Sequence, residues 1–132
     1  MKSRLPIIIV AALLPFVASS TPAEELVREF SGSRTVETAE FEVKAPWLID
    51  WRVNSDYPAS MGVTVVLHHS PAGIHSGTVM KTKYVGNGLR LMEEGGRFRF
   101  KVDAVVANWT IKVIQLTPEE AERYTPSDKG VL

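Results

Sequence analysis

Apolar and polar residues alternate with period two along most of the chain, most strictly between Gly95 and Leu116. Phe98, Phe100 and Val102 share one face there, with Arg97, Arg99, Lys101 and Asp103 on the other; Trp109, Ile111 and Val113 then alternate with Thr110, Lys112 and Ile114. Side chains that point the same way every second residue mark a strand. A strand with one apolar face fits an antiparallel sheet that has a core on one side and water on the other. The short connection predicts that the two runs pair as a hairpin.

The same period recurs upstream. Residues 26–30 form a first strand, stopped by the turn chemistry of Ser31, Gly32 and Ser33. Residues 38–43 follow, with Phe41 and Val43 opposite Glu40 and Glu42. After Pro46, the residues Trp47, Ile49, Trp51 and Val53 share a face. Residues 54–60, which include Pro58, read as a loop, and residues 61–68 as a strand. A turn at Ser70-Pro71-Ala72-Gly73 leads to a strand over 76–85, and Gly86-Asn87-Gly88 suits a tight turn before a short strand at 89–92.

Seven or eight short strands at spacings of roughly ten residues, with no long helical period between them, predict an all-β antiparallel sandwich, jelly-roll-like, over residues 26–116. The end changes character. Thr117-Pro118-Glu119-Glu120 combines a capping threonine, a proline at the first helical position and a glutamate three after the cap, so a short helical turn should run toward Arg123. The last residues read as a disordered tail.

The first twenty residues belong to neither pattern. Lys2 and Arg4 precede a nearly continuous apolar run over 5–17, and Ala18-Ser19-Ser20 supplies the small residues of a cleavage site. That is a signal peptide, cut before Thr21 and followed by a short leader at 21–25. The run is shorter than the roughly 20 residues that span a bilayer and is interrupted by Pro6 and Pro15, so no transmembrane segment is expected in the mature chain. Export to the periplasm or beyond follows. With no cysteine in 132 residues, the domain must stand on its core alone. Once Lys2 and Arg4 are removed, 13 basic against 15 acidic residues leave a formal charge of −2, which excludes the strong positive balance of a nucleic-acid binder.

Candidate chemistry is sparse. There is no Gly-x-Ser-x-Gly elbow and no cysteine nucleophile, and the adjacent carboxylates fall on turns and solvated faces, so the chain does not read as an enzyme and no cofactor is expected. His68, His69 and His75 cluster around the Pro71 turn. Adjacent residues of a strand project to opposite faces, which leaves His68 and His75 as possible metal ligands across a hairpin. Trp47, Trp51 and Trp109 are in phase with core aliphatics and belong inside. Sugar stacking therefore falls to the loop residues Tyr57 and Tyr84. Arg97, Arg99 and Lys101 form a basic stripe that Lys112 would extend on a paired strand. Either Glu40, Glu42 and Asp50 neutralise it or an anionic partner does.

Phe30-Ser31-Gly32-Ser33, the strand at 38–43, Trp47-Leu48-Ile49-Asp50-Trp51, the run from Gly96 to Val102 and Trp109-Thr110-Ile111-Lys112-Val113 together resemble a small β-sandwich domain of secreted and periplasmic bacterial proteins, often of uncharacterised function and sometimes appended to larger chains. The resemblance implies a fold and carries no catalytic residue with it. The basic polar face of the Gly96 strand departs from its pattern. The expectation is an exported, non-enzymatic binding or structural module whose partner is a protein or a cell-envelope polymer. A carbohydrate or cell-wall binding module is the first alternative, and a metal-binding periplasmic protein the second.

Overall fold

A computed structural model describes residues 24–124. The expected signal peptide, most of the expected leader and the expected tail lie outside the described residues. The strands are β1 (Glu25–Gly32), β2 (Val36–Glu37), β3 (Phe41–Val43), β4 (Trp47–Asn54), β5 (Gly62–His69), β6 (Ile74–Thr82), β7 (Gly86–Met92), β8 (Gly96–Val105) and β9 (Asn108–Gln115), followed by the helical turn α1 (Pro118–Ala121). One sheet runs β1-β9-β4-β7; the other runs β2-β8-β5-β6, with β3 also on β8. All pairings are antiparallel.

The pairs nest. β5 with β6 is the innermost hairpin, enclosed by β4 with β7, then by β2 and β3 with β8, and finally by β1 with β9. A long hairpin rolled into two facing sheets in this way is a jelly roll, so the expected sandwich is present. Of the strand expected at 38–43 only β3 forms, and a separate short strand, β2, precedes it. Across the gap, Thr38 donates its N–H to the Phe100 carbonyl (2.8 Å), and its hydroxyl accepts the Phe100 N–H (3.0 Å), so the edge of β8 stays satisfied.

Nesting overturns the expected hairpin. β8 and β9 lie in different sheets, and the connection between them crosses the sandwich through Val106, whose φ is +48°. Their apolar faces meet across the core instead of side by side. Phe98, Phe100 and Val102 of β8 and Trp109, Ile111 and Val113 of β9 are all at most 3% exposed. Phe41 and Trp47 complete an aromatic centre, with ring centroids 5.1 Å apart for Phe41–Phe100 and 5.5 Å for Trp47–Phe98. The buried indoles have acceptors for their N–H groups: Trp47 Nε1 donates to the Glu94 carbonyl at 2.8 Å and Trp109 Nε1 to the Arg34 carbonyl at 3.2 Å. Trp51 is half-buried against the same core.

Gly86, Asn87 and Gly88 are not a turn but the first residues of β7, and the chain reverses before them. Arg90, further along this edge strand, donates from Nη1 to the carbonyls of Thr78 (2.8 Å) and Val79 (3.2 Å) in β6, pinning the open side of the sandwich.

The segment after β9 covers part of one sheet's outer face. Glu120 N–H donates to Thr117 Oγ1 (3.2 Å) and Thr117 N–H to Glu120 Oε1 (2.8 Å), the expected capping box. The helical turn folds onto the outer face of the β4 sheet, where Leu48, Leu116 and Ala121 form a second buried cluster. Gln115 seals the neighbouring rim. Its Nε2 donates to the carbonyls of Lys44 (2.7 Å) and Pro46 (3.0 Å), and its Oε1 accepts the Lys44 N–H (3.0 Å), so one side-chain amide pairs as a strand backbone would.

Candidate functional site

The basic stripe does not assemble as four residues. Arg97, Arg99 and Lys101 project from the outer face of β8, but Lys112 lies on the other sheet, between Glu29 of β1 and Asp50 of β4 in register. Charge on β8 is met locally. Arg97 approaches Glu40 (3.6 Å) and Glu42 (3.7 Å), and Arg99 approaches Glu37 (3.6 Å). Lys101 stands opposite Glu37. Glu40 and Glu42 compensate the stripe as the sequence suggested; Asp50 faces Lys112 instead, and Glu37 takes a role that only the β2 pairing reveals.

The histidines separate by face. His68 of β5 lies directly opposite His75 of β6, with ring centroids 5.9 Å apart. His69 points the other way and packs on Phe98 at 5.0 Å. Among the described residues, no three of His, Cys, Asp and Glu gather as a metal-binding group.

The two tyrosines come to the same end of the sandwich. The loop at 55–61 carries Tyr57 into β5, which begins opposite Val105. Tyr84 follows Thr82, the residue opposite Val63 near the start of β5, and its N–H is held by Thr82 Oγ1 at 3.0 Å. Tyr57 and Tyr84 are 67% and 79% exposed.

Sequence reasoning missed what surrounds them. Val105, the last residue of β8, and Val106, on the crossover, stand at this end, and Val85 on the reversal before β7; all three are exposed. Ser55 ties the loops together, donating from Oγ to the Val106 carbonyl and accepting the Tyr57 N–H at 3.0 Å. Val106 is β-branched and holds a positive φ, a conformation that such residues rarely adopt. The local sequence Ala104-Val105-Val106-Ala107 was the available signal: an apolar run outlasting the alternation. Beside this end, Arg52, Asn54, Val85, Asn87, Asn108 and Thr110 line an open groove of about 550 Å³.

No helix among the described residues is long and apolar enough to cross a membrane. No family model matches the chain, and no curated protein is similar to it at a significant level.

Proposed function

We propose that this chain is an exported, non-enzymatic binding module that docks on a protein of the periplasm or cell envelope through the loop end of the sandwich. The observation that carries the reading is the contrast between the two ends. Near one end α1 and Gln115 cover part of the sandwich, with Ile74 beside the β5–β6 turn exposed there, whereas the other end presents five large exposed apolar or aromatic side chains, Tyr57, Tyr84, Val85, Val105 and Val106. Exposed apolar side chains gathered at one place, with tyrosine among them, are what a protein interface needs at its centre. The positive charge of β8 already has carboxylate neighbours, so the loop end, with its five exposed large side chains, is the stronger docking surface.

The carbohydrate reading retains one observation, the placement of Tyr57 and Tyr84 at the same end. Valine weighs against it, because an aliphatic branched side chain adds contact area but neither a stacking face nor a hydrogen bond.

Affinity purification from the envelope fraction of the native host tests the reading. The wild type should co-purify one protein at a constant stoichiometry, Arg97→Glu/Arg99→Glu should retain it, and Tyr57→Ser/Tyr84→Ser/Val105→Ser, folded as judged by its melting curve, should lose it. Retention by the loop variant overturns the protein-docking reading, and binding of the wild type on a glycan array in its place moves the function to sugars.

A further inference from the structure

We infer that His68 and His75 form a surface chelate for a first-row divalent metal ion, with copper(II) the tightest. The carrying observation is a change of register. Along β5 and β6, Val66 is opposite Thr78 and Leu67 opposite Gly77, so regular continuation would set Ser76 opposite His68. A bulge intervenes, and His75 stands there. An extra residue in an edge strand turns the following side chains to new positions. Here it converts an offset pair of histidines into a directly cross-strand pair.

Directly opposite residues hold their Cβ atoms about 4.5–5.5 Å apart. With ring centroids 5.9 Å apart, the two imidazoles can converge on one ion, each nitrogen at the roughly 2.0–2.1 Å of a metal–imidazole bond. The turn between them is held. Gly73 N–H donates to the His69 carbonyl (2.8 Å), Ser70 N–H to the Arg97 carbonyl (3.0 Å), and Arg99 Nη2 to the Pro71 carbonyl (3.2 Å). His75 is exposed and His68 half-buried, so water can complete the coordination sphere.

Arg99 is opposite His68 on its other side and would oppose a cation. Its terminal nitrogens, however, are directed to Glu37 and the Pro71 carbonyl, so a carboxylate offsets its charge. Two imidazoles plus water form an N,O donor set that divalent copper accepts in tetragonal geometry, and copper heads the affinity order of the first-row ions.

The site is at the opposite end of β5 from the docking loops and does not depend on them. Copper(II) titration of the mature protein, followed by visible absorbance and electron paramagnetic resonance, tests it. The amino terminus contributes equally in every variant and serves as common background. The wild type should show, above that background, one site with hyperfine coupling to two nitrogens, and copper should raise its melting temperature. His68→Ala and His75→Ala should each lose the site and the thermal shift, while His69→Gln, which alters only the inward-facing neighbour, should keep both. Identical titrations for wild type and His75→Ala overturn the chelate, as does loss of the site in His69→Gln.

Discussion

The indole of Trp51 lies across the backbone of Gly88. The two residues are paired between β4 and β7, and a Cβ placed on Gly88 would stand 2.5 Å from Trp51 Cζ2 and 2.7 Å from Cε2. Glycine is required here by close approach and not by a turn. Gly88→Ala should therefore destabilise the domain by about 1–3 kcal/mol through overpacking. Denaturant unfolding should show this loss, and Trp51→Leu in the same chain should cost less in the Gly88→Ala background than alone, because the two residues share one space.

Arg97 is flanked by two exposed carboxylates, a setting in which each ion pair contributes little. Its side chain is 60% exposed, and its two carboxylate neighbours stand at 3.6 and 3.7 Å. Arg97→Ala should cost less than about 1 kcal/mol. Arg97→Glu should cost more, since it sets like charges directly opposite at Glu42, and the difference between the two variants should shrink in molar salt. Chemical denaturation at low and high salt measures both, and a cost for Arg97→Ala well above that ceiling would show that the stripe is structural.

Tyr124 and Glu24 join the two ends of the described chain, the phenol donating from Oη to Glu24 Oε1. That hydrogen bond, followed by burial and the nearby carboxylate charge, raises the Tyr124 pKa above its ordinary value of 10.0. Folding thus strengthens the hold of the phenol on its proton. The stabilisation is fully present below the ordinary tyrosine range and is lost as pH climbs through the raised value. Ultraviolet titration should place Tyr124 above a free phenol and Glu24→Gln should lower it toward that value, burial remaining; equal titration in both proteins would remove the coupling.

Much of the architecture is legible along the chain because burial of one strand face is a local property. Phe98, Phe100, Trp109 and Ile111 alternate with polar residues, and each is buried as the alternation requires. The capping box at Thr117 is equally local, since its donors and acceptors are three residues apart. Neighbours are another matter. Period two states which side of a strand is dry but not which strand lies beside it, so the expected β8–β9 hairpin and the expected place of Lys112 beside the stripe differ from the structure for one reason.

The sequence by itself determined the all-β class, the identity of the core aromatics and the positions of most strands, because these depend on alternation and turn chemistry within about ten residues. Only the tertiary structure decided that β8 and β9 face each other across the core, that Gly88 makes room for Trp51, that a bulge sets His75 opposite His68, and that Tyr57, Tyr84 and Val106 share one end. Each of these depends on register and nesting between segments far apart in the chain, and the alternation that says which face of a strand is buried does not say which strand lies beside it.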